Sequence, residues 1–166
     1  MLSAGLRFVR PITNNNIYEF YNDPQKKAKG CNYTYSEVIG FDVIQLELRH
    51  DYVQFLLPTK TPSQYNRNVD VLTDDIINLM KSNKCIMSRL DLAVTTMITF
   101  WGSTLEIINV DNNHNHLRIS RCIECIGLFD LTDRRLELLD LIGKLDKASK
   151  TSKDNWNEKI NKHWDK

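Results

Sequence analysis

The sequence predicts an all-α fold: a compact multi-helix single domain of about five to seven helices, with little or no β-structure. Three observations predict it. Apolar residues recur at spacings of three and four over several stretches, capping residues stand just ahead of those stretches, and no two alternating runs are joined by a hairpin signal.

Taken in order, residues 17–21 follow an asparagine run and read as a short helix closed by Asp23 and Pro24. A basic loop carries Lys26, Lys27, Lys29 and Gly30. Asp42 stands three residues before Gln45, the spacing of a capping box, and opens a helix with Val43, Leu46, Val53 and Leu57 on its stripe. Pro58 lacks a backbone N–H and stops that helix near Leu57. Thr73 is the expected N-cap of the next helix, with Asp74 and Asp75 where the helix dipole favours acids, and Lys81 near its end. Ile86, Leu90, Ala93, Met97 and Trp101 mark another helix, with Gly102 as its stop signal. Residues 105–110 read as a short extended piece and residues 111–114 as a turn. From Asn115 the pattern is helical again through Ile119, Ile123 and Ile126. Thr132 then caps a helix through Leu136, Leu139, Ile142 and Leu145. The expected layout is a flexible segment over 1–16, the helical domain over 17–147 and a Lys/Asn-rich tail over 148–166. In the tail, Trp156, Ile160 and Trp164 recur every four residues, so it reads as a terminal helix docked by its aromatic face.

Composition narrows the function class. The 166 residues hold 22 Lys and Arg against 21 Asp and Glu, a formal net charge of +1, so no global field favours nucleic acid or an anionic membrane. A chain that is 42% hydrophobic can bury a core, and its four cysteines are too sparse for a disulfide scaffold. They read as reduced thiols of an intracellular protein. The longest apolar stretch, residues 93–101, is broken by Thr95, Thr96 and Thr99 and is too short to span a bilayer.

Three segments carry a resemblance. The first is Tyr33-Thr34-Tyr35-Ser36-Glu37-Val38-Ile39, running through Phe41-Asp42 and Leu46-Glu47 into His50-Asp51-Tyr52-Val53-Gln54-Phe55-Leu56-Leu57-Pro58. The second is Met97-Ile98-Thr99-Phe100-Trp101-Gly102, and the third His114-Asn115-His116-Leu117-Arg118-Ile119-Ser120-Arg121. Together they resemble the conserved domain of the opioid growth factor receptor family, known from animals, bacteria and large DNA viruses. The likeness extends over about residues 17–145. The family more often has Trp at Phe55, Tyr at Trp101 and Thr at Ser120, swaps that keep aromatic or hydroxyl character. The resemblance implies signalling receptor activity, binding of an endogenous opioid peptide, and a nuclear or peripheral membrane-associated place. It brings no catalytic residue with it.

Residue by residue, the chemistry is sparse. His114-Asn115-His116 shares letters with a nuclease motif, but no ββα-metal unit surrounds it. Cys122 and Cys125 form C-x-x-C inside an expected helix with no second ligand pair, so they read as buried thiols; no metal and no cofactor is expected. Three loop lysines near Tyr21, Tyr33 and Tyr35 read as a solvated loop, not a nucleic-acid surface. The remaining constellation is His50, Asp51 and Gln54 before Pro58, with Asn115, Arg118 and Arg121 after His114. His50 and Gln54 stand one helical turn apart, and Asn115 is placed to cap a helix that carries both arginines. Two guanidiniums near a helix start suit a carboxylate or phosphate. The bland counterpart is a polar seam joining the two segments. The leading expectation is a non-catalytic module acting through a protein or peptide partner. The alternative is a small-anion or nucleotide binder, or an enzyme, that uses this His/Gln/Asn/Arg cluster.

Overall fold

The computed structural model describes residues 14–63 and 66–165, and among them it is helical with no strand. Ten helices are present among these residues: α1 Asn16–Asn22, α2 Tyr35–Ile39, α3 Val43–Leu48, α4 Val53–Leu56, α5 Asp74–Lys81, α6 Lys84–Ser103, α7 Leu105–Ile108, α8 His114–Leu128, α9 Thr132–Gly143 and α10 Lys150–His163. That exceeds the five to seven expected. The helix expected over residues 42–57 is two helices, residues 105–110 hold α7 instead of an extended piece, and α2 occupies a segment to which no element was assigned. The chain divides into two compact units, Met1–Leu90 and Asp91–Lys166. No helix among the described residues is long and apolar enough to cross a membrane.

In the first unit, the asparagine run does structural work. The Asn15 side chain accepts from the Ile17 and Tyr18 N–H groups and starts α1. Asn16, 5% exposed, donates from Nδ2 to Lys29 O (3.1 Å) and Asn68 O (3.0 Å) and accepts from Asp70 N–H (2.9 Å). A buried amide must have its donors and acceptor met, and here the partners come from two separate loops. One of those loops turns at Gly30, whose φ of +80° suits glycine. α1 buries Phe20 and Tyr21, whose rings are 5.2 Å apart and meet Tyr35 and Phe55 at 5.5–5.8 Å. The hydroxyls of this cluster are spent on the backbone: Tyr21 donates to Leu56 O and Tyr35 to Arg89 O, both at 2.6 Å.

α2 opens on a full capping box, in which Thr34 Oγ1 accepts from Glu37 N–H and the Glu37 carboxylate accepts from Thr34 N–H. The Thr34 N–H bond holds the Glu37 carboxyl below its ordinary range. A carboxyl lowered on folding stabilises above its unfolded value, and the gain disappears as pH falls through the folded one. Glu37→Gln removes the charge that this gain depends on, and should destabilise the protein near neutrality. Urea unfolding at neutral and acid pH should show the gap between wild type and variant narrowing in acid; a gap unchanged by pH contradicts the reciprocal box.

The split between α3 and α4 has a packing cause. Residues 52–59 are buried in unbroken succession, which a single helical stripe cannot achieve. The Asp42–Gln45 capping box forms as expected, but α3 ends at Leu48. Tyr52 Oη then donates to Leu46 O at 2.7 Å and satisfies a terminal carbonyl. The Arg49 guanidinium lies 5.1 Å from the Tyr33 ring centre and 4.8 Å from that of Phe41, pinning the break by cation–π contact. α5 starts from Thr73 as expected, with Oγ1 accepting from Ile76 N–H.

In the second unit, α8 is the core helix and both α9 and α10 pack on it. Ile119, Cys122, Ile123, Cys125 and Ile126 are all 0% exposed. The α8–α9 turn is made by Asp130 at φ 54°, with Leu131 N–H donating to Ile126 O at 3.0 Å. That left-handed residue closes the helix where glycine is commoner. α10 is fixed by two indoles: Trp156 Nε1 donates to His116 O (3.0 Å) and Trp164 Nε1 to Ile123 O (2.8 Å). Near its end the approach to α8 is at backbone distance, because a Cβ on Gly127 would lie 2.6 Å from His163 O.

Candidate functional site

The residues nominated from the sequence fall in both units, and each set is described within its own. In the first, His50 is exposed and lies in the break after α3, whereas Gln54 is buried inside α4. They do not share one helical face, contrary to expectation, because the chain leaves the helix between them. Asp51 accepts from Asn32 Nδ2 at 2.6 Å. Gln54 donates from Nε2 to Ser63 Oγ at 3.0 Å, while its buried Oε1 accepts no bond among the described residues.

In the second unit, α8 begins at His114, one residue earlier than expected, and its N-cap is Asn113 rather than Asn115. The Asn113 side chain accepts from Asn115 N–H at 2.9 Å. Asn115 is itself fully buried, and its Oδ1 accepts from Trp101 Nε1 (3.1 Å) and from Arg118 Nη1 (3.4 Å). A buried indole N–H requires an acceptor, and Asn115 supplies it from α8 to α6. Arg118 is 6% exposed, so its guanidinium belongs to the interior of this unit. Arg121 is half-buried, and burial lowers its pKa.

His116 is committed on both sides. Its Nδ1 lies 3.0 Å from Ser152 Oγ and its Nε2 lies 2.8 Å from Ile108 O. The backbone carbonyl at Ile108 can only accept, so Nε2 carries the proton in the neutral ring and Nδ1 accepts from the Ser152 hydroxyl. Trp156 stacks edge-on to the same ring at 5.3 Å. Lower on α8, Glu124 is 3% exposed and pairs with Lys159 Nζ at 3.1 Å. Burial pushes the Cys122 thiol well up and the Cys125 thiol to about 12, so both stay protonated near neutrality. A thiolate is the form that attacks or binds metal. Among the described residues, no group of three or more His, Cys, Asp and Glu is placed to hold a metal ion.

A groove of about 800 Å³ lies in this unit between the start of α8 and residues 151–158 of α10. α8 and its N-cap loop contribute Asn113, His114 and Leu117; α10 contributes Thr151, Asp154, Asn155 and Glu158. The α10 residues recur every three or four positions, which puts them on one face, next to the Trp156 face that packs inward. Asn155 is anchored by donating from Nδ2 to Ser120 Oγ at 2.7 Å. The groove was not foreseen from the sequence. Its polar face was legible as spacing, but in a Lys/Asn-rich tail such spacing does not stand out from the background.

Residues 13–111 match the family described as Opioid growth factor receptor (OGFr) conserved region. The first two resemblance segments lie within this stretch; the third, residues 114–121, lies beyond it. No curated protein and no solved structure shows a match to the chain.

Proposed function

The chain belongs to the opioid growth factor receptor conserved-region family, and on that premise we propose that it is a non-catalytic signalling or binding module working through protein or peptide contacts. One observation carries this reading: the polar side chains of α8 that best resembled reactive machinery are occupied in holding the unit together. Asn115 joins Trp101 to Arg118, and His116 joins Ile108 to Ser152. The protonated, buried thiols of Cys122 and Cys125 point the same way. What the second unit offers to solution is an open groove with mixed polar and apolar walls, a surface suited to recognition rather than to bond-making.

The second reading is a small-anion or nucleotide binder, or an enzyme, that uses the α8 residues Asn115, Arg118 and Arg121, and it is favoured by the half-buried guanidinium of Arg121. Thermal-shift titration of the full chain against a peptide panel and against nucleotides separates the two, since a ligand held only by the native state raises the melting temperature. The module reading expects a shift with at least one peptide class and none with nucleotides. A nucleotide shift that vanishes in Arg121→Ala would overturn it and establish the anion site.

A further inference from the structure

We propose that the groove between α8 and α10 receives a basic peptide segment, with an Arg or Lys side chain of the partner lying along Leu117 and its charged head on Glu158; this rests on the binding-module reading above. The argument is one of charge, acceptors and shape.

The groove wall carries two carboxylates, Asp154 and Glu158, and neither a lysine nor an arginine. Asp154 is already paired with Lys150 at 2.6 Å, but that pair is mostly exposed, at 88% and 59%, and an exposed i,i+4 pair is readily exchanged. Glu158 makes no hydrogen bond or ion pair among the described residues, so its charge is available. Asn155 is oriented by its bond to Ser120, and that bond uses only its Nδ2, which leaves the amide oxygen as a fixed acceptor in the wall.

The opposing influence is the helix dipole. The amino ends of α8 and α10 both lie at the groove, and each presents about half a positive charge. Those ends are partly quenched from within: Asn113 caps α8, and Ser149 Oγ accepts from Ser152 N–H at 3.1 Å in α10. With Asp154 offset by Lys150, the net charge of the wall is that of the Glu158 carboxylate, and together with the Asn155 amide oxygen it selects a cation over these partly satisfied half-charges. An amphipathic cation fits better than a bare ion, because Leu117 is 61% exposed at the edge. The aliphatic stem of Arg or Lys covers such a surface while its head stays at the polar wall. The volume of about 800 Å³ admits a short stretch of chain around that side chain.

The test uses the full chain and three fluorescein-labelled, end-blocked peptides of equal length: alternating Arg and Leu, alternating Glu and Leu, and alternating Gln and Leu. Fluorescence anisotropy should show binding of the Arg/Leu peptide, weaker binding of Gln/Leu and none of Glu/Leu. Glu158→Gln removes a charge-assisted bond and should weaken the Arg/Leu peptide about tenfold, and Glu158→Lys should weaken it further. Position 158 is exposed, and circular dichroism confirms that each variant folds. Amide shift perturbations should fall on residues 113–117 and 151–158. Equal binding of the Arg/Leu peptide by wild type and Glu158→Lys, shifts confined to other residues, or a preference for the Glu/Leu peptide would each overturn the groove assignment, while leaving a binding module in place. Binding of none of the three peptides would also overturn the groove assignment, and the module reading is then decided by the thermal-shift panel alone.

Discussion

Gly127→Ala is expected to loosen the end of α10 from α8 and to destabilise the second unit by about 1–3 kcal/mol. Two effects oppose each other. Alanine is the better helix former, so in an open position the change would stabilise α8 by up to about 1 kcal/mol. At Gly127 the new Cβ would stand 2.6 Å from both His163 Cβ and His163 O, and 3.0 Å from the His163 carbonyl carbon. Two of those three atoms are backbone, so no rotamer change relieves the overlap and one helix must move. Movement there strains the Trp164 Nε1 to Ile123 O bond beside it. Gly102 is the matched control: it lies in α6, and a Cβ there would meet nothing within 4 Å. Gly102→Ala should be neutral or mildly stabilising by the propensity gain alone. Urea unfolding of both variants, with amide exchange across α10, checks the pair. A destabilised Gly127→Ala beside a neutral or mildly stabilised Gly102→Ala supports the close approach; a stabilised Gly127→Ala would show that α10 does not sit against this glycine.

Physical reasons separate what the sequence made legible from what it hid. Capping boxes and N-caps are local, so Asp42–Gln45 and Thr73 could be read directly. Thr34–Glu37 obeys the same rule, but its five-residue helix is too short to leave a periodic stripe. Periodicity misled where burial became continuous: Val53 and Leu57 fall in step with Leu46, yet Tyr52 and its successors all turn inward and the helix breaks. His50 and Gln54 were paired by that error. The asparagines were opaque for a different reason. Asn15 and Asn16 look like background in an Asn-rich chain, and only three-dimensional placement reveals one as a cap and the other as a buried link between two loops. Within the candidate set, Asn115 was read as a helix cap and Arg118 as one of two guanidiniums at a helix start; that Asn115 instead joins a buried tryptophan indole to Arg118 depends on tertiary packing.

Trp156→Ala is expected to be the costliest single truncation in α10, by about 3–5 kcal/mol. Trp156 is 1% exposed, donates its indole N–H to His116 O at 3.0 Å, and meets the His116 ring edge-on at 5.3 Å. The alanine variant leaves a void beside His116, whose own links to Ile108 and Ser152 depend on the ring staying in place. Trp156→Phe isolates the hydrogen bond. It keeps most of the aromatic volume, and His116 O still accepts from Ser120 Oγ at 3.2 Å, so its cost should be about 1 kcal/mol plus a small packing loss. The same pair of variants bears on function, because α10 forms one whole wall of the groove. Trp156→Phe should hold that wall and keep affinity for the Arg/Leu peptide near wild type. Trp156→Ala should release α10 to limited proteolysis and lose the peptide along with it. If the alanine variant unfolds in urea within about 1 kcal/mol of wild type, the tail helix is an accessory rather than part of the core, and a groove built on it has no rigid wall.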